Sequence, residues 1–583
     1  MNLRVFLHPF AWRSQRVRGD RGAALVGDTA RLPVADFGDP GPLSLPRLDG
    51  EIDSRRIDRL VWAFVALGVI VRLSRYLMRF PLWGDEAFVA ANFLDRGYAD
   101  LLRPLDYHQV CPLLFLWVEL TVVKLLGFSE WSLRLFPTLC SISGVFLFRH
   151  VASRLFRGVA QLLAVAIFAV GYYPIRHGGE VKAYAVDLLV ALVLLALAIE
   201  WRRAPRRVGW LWALAAFAPL AVGLSLPAVF VAGGISLALV GLLWRSGDRR
   251  AWLAWGAYNV AVVASFLIMF VVSVAAQYER EFSAAMEACW NLAFPPLTHP
   301  IKLIVWLVEA HTGRMFAYPI GSKSGGSTVT FVCVALAIVV LWRTRRRGIV
   351  GLMLFPLGLA LIAAALRRYP YGFSARTMQY VAPSICLMSG LGAATMIAWC
   401  SSPRRRQRIT GGVLLLLAVI GVGSLVRDMV QPYKTIFDLK DREFARWLWT
   451  DKAYDAQLVD VKTDLGKNFF PGCYEWGHSS LYRCNQRIYS PDHRHGKRPV
   501  KWSAISADRP LRCVVFSTPE LRRDEATFQC WLDKMAENYQ LVGRDEFLVN
   551  ADSTWDHSRI EIYEFTPKSA RTAKQTSRDV PRR

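Results

Sequence analysis

Twelve long apolar runs along the middle of this 583-residue chain constrain its fold more than any other feature. A run of about 17–24 apolar residues is long enough to cross the hydrocarbon core of a bilayer as a helix. This pattern excludes a soluble enzyme, a disordered tail and a small disulfide scaffold, and it predicts a polytopic membrane protein. The runs lie at roughly 60–79, 110–127, 134–149, 159–175, 182–200, 209–224, 227–244, 252–274, 327–342, 348–366, 378–399 and 409–427.

The excess of basic residues fits a lipid bilayer as partner rather than a nucleic acid. The formal net charge is +25 and the pI about 9.9, values that would indicate nucleic-acid binding in a soluble protein. Here the mean hydropathy is positive, at +0.27, and arginines cluster in short links between apolar runs. Because such residues stay on the cytoplasmic side, we expect an inner (plasma) membrane protein with a cytoplasmic N-terminus and an extracytoplasmic C-terminus. The links are 149–157, 202–207, 245–250, 343–347 and 404–408.

One apolar run cannot cross the membrane once. With a cytoplasmic N-terminus, residues 80–109 lie outside, yet the inward basic link after the next run requires 128–133 to lie outside as well. The run 110–127 between them also carries Glu119 and Lys124, which are costly at bilayer depth. We therefore predict a juxtamembrane or re-entrant helix there and about eleven true crossings.

The apolar runs divide the chain into four parts. Residues 1–56 are predicted to form a disordered basic cytoplasmic arm, because they hold no long apolar run. The transmembrane domain at 57–429 is followed by a small α/β extracytoplasmic domain at 430–567 and a disordered tail at 568–583. Strand-like stretches of the α/β domain lie at 456–462, 511–517 and 558–566.

Four of the ten cysteines fall in the polar C-terminal domain, and an even number there fits an oxidising compartment. Of three connectivities, we expect neighbour pairing, Cys473 with Cys484 and Cys513 with Cys530. Zinc binding by these four is the alternative, although no CxxC spacing supports it.

An acidic pair, Asp85 and Glu86, stands directly after the first apolar run. A carboxylate at this membrane–water boundary is within reach of a lipid headgroup. It can act as a general base that takes a proton from an acceptor hydroxyl as a sugar leaves its phosphate. An ordinary solvated acidic turn is the alternative for a bare Asp-Glu pair.

Two further motifs follow the acidic pair in order. The first, with His108 and Pro112, leads into the run predicted not to cross, and the second, from Gly127 to Arg134, leads into the next span. Together the three motifs resemble the GT-C membrane glycosyltransferases, in particular the protein O-mannosyltransferase/aminoarabinose-transferase clan (glycosyltransferase family 39) and its RgtA/B/C/D-like branch. The resemblance is strong over about 60–200 and weaker over 360–400. It implies a GT-C-like polytopic α-helical fold with juxtamembrane helices in the first external loop.

The segment 172–184 resembles the external E-x-(R/K)-x-Y turn of the same family, formed here by Glu180, Lys182 and Tyr184. If a helix begins at 180, Glu180, Tyr184 and Asp187 share one face. Lys182 is expected to contact a lipid phosphate, and snorkelling to the interface is the equal alternative.

A later element resembles the family's yP-x-g-x-R motif, with Arg367, Arg368 and Arg376 on the predicted outer face. Arginines there break the positive-inside trend and need a local anion. A polyprenyl phosphate supplies one and suits the planar guanidinium, whereas a lipid-headgroup anchor is the alternative. By contrast, Arg72 and Arg75 in the first span are expected to approach the outer interface rather than to bind substrate.

These residues lead to the hypothesis of a membrane glycosyltransferase with a polyprenyl-phosphate-linked sugar as donor and a cell-envelope lipid, polysaccharide or protein as acceptor. Asp85 is the expected general base, and Glu86 is expected to orient the acceptor or contact the sugar. The family resemblance implies inversion at the anomeric carbon. The scheme requires no cofactor and no metal site, although some GT-C relatives use a divalent cation, so that question stays open. The residues expected to bind the substrate or its phosphate are His108, Glu180, Lys182, Tyr184, Arg368 and Arg376.

Two other classes of protein remain as alternatives. A transporter or flippase of polyprenyl-linked or lipid substrates places ionisable groups near the bilayer midplane, often in repeated halves, whereas the candidate groups here collect at outer span ends. The third class is a non-catalytic receptor whose polar C-terminal domain carries the function. Direct use of a nucleotide sugar finds no support, because the sequence has no Walker or Rossmann glycine loop.

Overall fold

The structure is a computed structural model, and it divides into a large helical domain and a small sheet near the C-terminus. The helices are α1 (Pro46–Asp49), α2 (Ser54–Leu77), α3 (Gly84–Asp95), α4 (Leu113–Leu126), α5 (Glu130–Leu155), α6 (Gly158–Ala169), α7 (Tyr172–Arg176), α8 (Tyr184–Arg203), α9 (Gly209–Leu224), α10 (Ala228–Ser246), α11 (Arg249–Met269), α12 (Pro300–Thr312), α13 (Gly325–Arg343), α14 (Arg347–Ala365), α15 (Ala382–Ala398), α16 (Pro403–Val430), α17 (Ile436–Arg446) and α18 (Glu525–Asn538). The described residues are 41–50, 52–106, 109–275, 290–321, 325–447, 457–462, 508–517, 525–548 and 559–568.

Nine helices within these described ranges are long and apolar enough to cross a membrane, which confirms a multi-pass membrane protein. Two shorter apolar helices, α6 and α9, have 12 and 16 residues, and the predicted number of about eleven crossings, which includes both, stays a prediction. The run at 110–127 forms α4, whose 14 residues extend over about 21 Å, less than the hydrocarbon core of about 30 Å. Because α6, which is expected to cross, is shorter still, this length does not decide the matter, and the juxtamembrane or re-entrant position of α4 stays a prediction.

Glycines allow α15 to pack closely against two neighbouring helices. A Cβ atom at Gly390 would overlap the backbone of Ala164 in α6, and one at Gly392 would overlap the carbonyl group of Cys333 in α13. Apolar side chains gain little by leaving lipid, so helix association in a bilayer depends on close backbone approach. Helix α15 is accordingly the most buried of the candidate spans, at 83% of its apolar window.

Residues 41–49 are packed, in contrast to the predicted disordered arm. Leu43 forms a parallel bridge with Phe156, and Leu43 and Leu48 are both buried. Arg346 adds a hydrogen bond of 2.7 Å to the carbonyl oxygen of Gly41. The prediction of a mobile arm is therefore wrong for this part, because two apolar side chains anchor it, whereas residues 1–40 lie outside the described residues.

The C-terminal unit contains a four-stranded mixed sheet in the order β1-β2-β4-β3. Strand β1 runs parallel to β2, and the pairs β2–β4 and β3–β4 are antiparallel. The three predicted strands agree with β1, β2 and β4 to within one residue, whereas β3 and helix α18 were not predicted. Alternate residues of β2 and β4 pack on α18, as the two-residue period of a strand requires. The strands are β1 (Gln457–Lys462), β2 (Leu511–Ser517), β3 (Tyr539–Leu548) and β4 (Arg559–Pro567).

Helix α17 connects this unit to the helical domain. The ring centroids of Phe444 in α17 and Phe547 in β3 lie 5.6 Å apart, and Arg442 in α17 pairs with Glu130 in α5 at 3.4 Å. The segment directly after α16 therefore packs on both parts of the protein.

The predicted disulfide between Cys513 and Cys530 is wrong, because both are free thiols. Cys513 is buried in the face of β2 that packs on α18, whereas Cys530 is exposed to solvent. Cys473 and Cys484 lie outside the described residues.

The packing of α15 predicts the effect of a single added methyl group. We expect Gly390→Ala to lower the free energy of unfolding by about 1–3 kcal/mol, because the new Cβ would push α15 away from α6. Gly358→Ala is the matched control, since a Cβ there meets no atom within 4 Å, and we expect a change of about 0.5 kcal/mol or less. Thermal unfolding of the purified full-length protein in detergent measures both. Equal melting temperatures for the two variants would contradict the packing argument.

Candidate active site

The two carboxylates of the acidic pair lie in the first turn of α3 but face different surroundings. Successive side chains of a helix point about 100° apart, so neighbours in sequence diverge. Glu86 is only 1% exposed, whereas 31% of the Asp85 side chain is exposed. The positive end of the helix dipole favours both charges. The fold thus separates one buried carboxylate from one that meets solvent.

Glu86 is surrounded by protein hydrogen-bond donors. Arg134 donates from Nε to Oε1 at 3.0 Å and from Nη2 to Oε2 at 2.7 Å, which forms a bidentate pair. The backbone N–H groups of Val181 and Trp83 donate at 2.9 and 3.3 Å. Arg134 also donates to the carbonyl oxygen of Pro81 at 3.0 Å. Glu86 therefore connects the first loop, α5 and the 172–183 turn, and its contact with the acceptor or sugar stays a prediction.

Asp85 pairs with Arg376, a residue 291 positions later in the chain. The distance from Arg376 Nη1 to Asp85 Oδ2 is 2.9 Å, and both side chains are partly exposed, at 26% and 31%. Arg376 lies in the segment between α14 and α15, and its guanidinium carbon is 5.1 Å from the centre of the Trp83 indole. The acidic pair and the later arginine motif thus meet at one place.

A second cation, Lys434, lies on the same tryptophan. Its Nζ atom is 3.1 Å from the centre of the Trp83 ring and 3.2 Å from Glu180 Oε1. Cations over an indole ring are attracted by its negative face. Lys434 comes from the segment after α16, and no motif in the sequence distinguishes it from other basic residues there.

Glu180 is held as a carboxylate by its neighbours. His177 Nδ1 lies 3.0 Å from Glu180 Oε2 and donates to it, since a carboxylate only accepts. Burial lowers the pKa of His177, and the charge and hydrogen bond of Glu180 act against this change. Burial alone would raise the pKa of Glu180, but the charges and hydrogen bonds of His177 and Lys434 lower it well below its ordinary value. Burial also lowers the pKa of Lys434, and Glu180 opposes that change.

Lys182 lies in the same non-helical turn as Glu180. It is buried and donates to Gln109 Oε1 at 2.5 Å. Burial raises the pKa of the Cys111 thiol, and the charges of Lys182 and Asp85 act on it in opposite directions. Lys182 and Asp85 are therefore both within electrostatic range of Cys111.

The helix expected from residue 180 begins four residues later, at Tyr184. The predicted common helical face of Glu180, Tyr184 and Asp187 is therefore wrong, because His177, Glu180 and Lys182 belong to a non-helical turn. Tyr184 still lies beside this turn, since its ring centroid is 5.6 Å from that of His177.

Two predicted site residues are not part of this arrangement. Arg368 is exposed and makes no ion pair in the part of the chain that the structure describes. His108 lies outside the described residues, so its role stays a prediction. Sequence reasoning did not single out Trp83, although an aromatic residue directly before an acidic pair at the interface was the available signal.

Two solved structures of ArnT from Cupriavidus metallidurans resemble this chain over most of its length. The one bound to undecaprenyl phosphate aligns with 86% of this chain and 97% of its own, at 14% identity and a TM-score of 0.50. The one in the apo state covers the same shares, at 13% identity and a TM-score of 0.51. Neither a protein-family model nor a curated protein matches the sequence.

An oligosaccharyltransferase from Archaeoglobus fulgidus, in complex with Zn and sulfate, aligns with 78% of this chain and 67% of its own. Its identity is 11% and its TM-score 0.43, too low to support an argument. The likeness to ArnT concerns the fold alone, because the identity is low. This chain therefore shares its fold with ArnT, which agrees with the fold that the sequence resemblance predicted.

Because the two carboxylates have different surroundings, replacing each with its amide should lower the free energy of unfolding by different amounts. We expect Glu86→Gln to lower the free energy of unfolding by about 3–5 kcal/mol, because Arg134 would keep a buried charge without its partner. Asp85→Asn should cost less than about 1 kcal/mol, because the pair with Arg376 is partly solvated. Thermal unfolding of the full-length variants measures both values. A larger loss for Asp85→Asn than for Glu86→Gln would refute this description.

Proposed function

We propose that this protein is a membrane glycosyltransferase that moves a sugar from a polyprenyl-phosphate donor to an extracytoplasmic acceptor. The observation that carries the proposal is the partly exposed pair of Asp85 and Arg376, a candidate base joined to a candidate phosphate ligand at 2.9 Å. The fold supports it, since one solved structure with the same fold is bound to undecaprenyl phosphate.

Asp85 acts as the general base in this proposal. It takes the proton of an acceptor hydroxyl while the acceptor oxygen forms a bond to the anomeric carbon of the sugar. The bond from that carbon to the phosphate oxygen breaks, and its electron pair leaves with the polyprenyl phosphate. A single displacement of this kind inverts the anomeric configuration. Positioning of the two reactants and stabilisation of the leaving phosphate supply most of the rate enhancement.

Arg376 binds the leaving phosphate while it keeps its contact with Asp85. A guanidinium has five N–H donors in a planar fork, and within the described residues Asp85 takes only one of those of Arg376. The remaining donors are available to a phosphate oxygen, with Lys182 as a second cation nearby. Arg376 then links the base to the leaving group and orients both.

Glu86 acts as a positioning residue. Its bidentate pair with Arg134 fixes the first turn of α3, and this places Asp85 at a constant distance from Arg376.

The base assignment predicts a selective loss of transfer. We expect Asp85→Asn to lower the rate by about 10²–10⁴-fold, the contribution typical of a general base. Asp100→Asn, an exposed acid of the same loop, is the matched control and should keep its rate. Release of polyprenyl phosphate from a panel of labelled polyprenyl-phosphate sugars, in membrane vesicles that contain cell-envelope acceptors, measures both variants.

Unchanged release by Asp85→Asn would remove the base assignment. Movement of the labelled lipid across the membrane without sugar transfer by the unaltered protein would instead favour a transporter.

We also propose that the ends of α2 and α8 that carry this site face away from the cytoplasm. The basic links at the opposite span ends support this orientation. Ser129 and Ser153 stand at the two ends of α5, which places them about 36 Å apart along the helix.

Single-cysteine variants at these two serines test the orientation. We expect a membrane-impermeant maleimide to label Ser129→Cys in intact cells and to label Ser153→Cys only after permeabilisation. Both positions are half-buried, so they form a matched pair. Labelling of Ser153→Cys in intact cells would reverse the orientation.

A further inference from the structure

A cleft lies between the end of α2, the beginning of α5 and the 172–183 turn, on the side of α3 where Glu86 is found. Its empty space is about 460 Å³, counted with its open mouth. Such a cleft admits water or a compact group such as phosphate or carboxylate. Five cations and two carboxylates line the cleft, so its charge is positive.

Three of the five cations have a carboxylate partner. These pairs are Arg134 with Glu86 at 2.7 Å, Lys434 with Glu180 at 3.2 Å, and Arg75 with Asp428 at 2.7 Å. The other two cations, Arg72 and Arg176, have no carboxylate partner among the described residues. The uncompensated charge of the cleft is therefore located on two guanidinium groups.

Arg72 is the deeper of the two guanidinium groups. It is 3% exposed, which makes the expectation that it approaches the outer interface wrong, because protein atoms hold it inside the helix bundle. Its Nε donates to Ser141 Oγ, and its Nη1 donates to the carbonyl oxygens of Gly68 and Ala169, each at 2.9 Å. Its Nη2 is buried and has no protein partner. A buried N–H donor without an acceptor is costly and calls for a ligand or water.

Arg176 approaches the cleft from the end of α7. It is half-buried and donates to the hydroxyl oxygen of Tyr172, which positions the guanidinium without neutralising it. Thr138 adds a second unsatisfied group, because its buried hydroxyl lines the cleft and has no partner. The cleft thus offers two guanidinium groups and one hydroxyl to a ligand.

Two glycines allow the segment 172–183, which consists of α7 and the turn after it, to pack closely against α5 at this place. A Cβ atom at Gly178 would overlap Ser141 Oγ and the carbonyl oxygen of Pro174. One at Gly179 would lie 3.2 Å from Thr138 Oγ1. The absence of side chains at these two positions leaves no Cβ atom between the turn and the buried, unpaired atoms of Arg72 and Thr138, which line the cleft.

We propose that this cleft is an anion-binding subsite in which Arg72 and Arg176 hold a compact oxyanion, a phosphate or carboxylate group, of the acceptor. Anion binding follows from the cleft itself, whereas its assignment to the acceptor rests on the proposed function. In a single displacement the leaving phosphate and the attacking hydroxyl lie on opposite sides of the anomeric carbon. The cleft borders Glu86, the residue after Asp85 in α3, and Arg376 does not line it. A second anion site at this place suits a negative charge on the attacking molecule.

Binding of simple anions to the full-length protein tests the subsite without any transfer assay. The protein is placed in phosphatidylcholine nanodiscs, and its melting temperature is followed against sodium phosphate and sodium acetate, with chloride at equal ionic strength as reference. We expect saturable stabilisation by at least one of the two oxyanions, as ligand linkage requires. Arg176→Gln should weaken its apparent affinity about tenfold or more.

Three further variants separate local from general effects. Arg72→Lys keeps the charge but loses the planar fork, so it should also weaken oxyanion binding. Arg103→Gln removes one exposed charge and should have no effect, since 80% of the Arg103 side chain is exposed. Arg376→Gln should keep the part of the oxyanion response that Arg176→Gln weakens, because Arg376 does not line the cleft.

A second arm distinguishes the acceptor from the donor. Nanodiscs that contain undecaprenyl phosphate are compared with nanodiscs that lack it. We expect Arg376→Gln to weaken stabilisation by this lipid and Arg176→Gln to leave it unchanged. If both variants lost stabilisation by undecaprenyl phosphate equally, the cleft would be part of the donor site. That result would overturn its assignment to the acceptor.

Stabilisation by phosphate and acetate no greater than by chloride would overturn the subsite itself, as would full oxyanion affinity in Arg176→Gln. Unchanged transfer by Asp85→Asn would refute the proposed catalytic base but would not alter these binding results. The two failures are therefore distinguishable.

Discussion

The buried bidentate pair of Glu86 and Arg134 is the interaction on which the rest of the site depends. A buried ion pair is costly unless every donor and acceptor is satisfied. Here Glu86 also accepts from two backbone N–H groups, and Arg134 also donates to the carbonyl oxygens of Phe80 and Pro81. These contacts hold together the first loop, α5 and the turn after α7. Because Asp85 directly precedes Glu86 in α3, the same contacts determine the position of its partly exposed carboxylate.

Charge on this face of the protein is arranged in two regions that share one tryptophan. Arg376 and Lys434 both lie over Trp83, yet Arg376 pairs with Asp85 in a partly solvated position and Lys434 borders the cleft with Glu180. Two anions that bind close together repel each other, so each needs cations of its own. Arg376 and the cations that line the cleft form two such neighbouring sets.

Much of the helical domain could be predicted from the sequence, because an apolar run long enough to cross a bilayer has one stable form. The prediction that α4 does not cross the membrane rests on Glu119, Lys124 and the alternation of basic links, and Arg376 was singled out by a motif. The approach of Lys434 to Trp83 could not be predicted, since it depends on how the chain turns after α16. Sequence reasoning also misplaced residues 41–49, where two leucines suffice to anchor a short segment.

Arg72 does not follow the usual behaviour of a cationic side chain near the end of a span. A long cationic side chain near a span end usually extends to the interface. Here Gly68 lets α6 approach so closely that a Cβ at Gly68 would lie 3.0 Å from that of Ala169, the last residue of α6. The carbonyl oxygen of Ala169, at the negative end of the α6 dipole, then accepts from Arg72 and keeps it inside. Three hydrogen bonds hold the guanidinium in place, and its remaining nitrogen, Nη2, is buried without a protein partner.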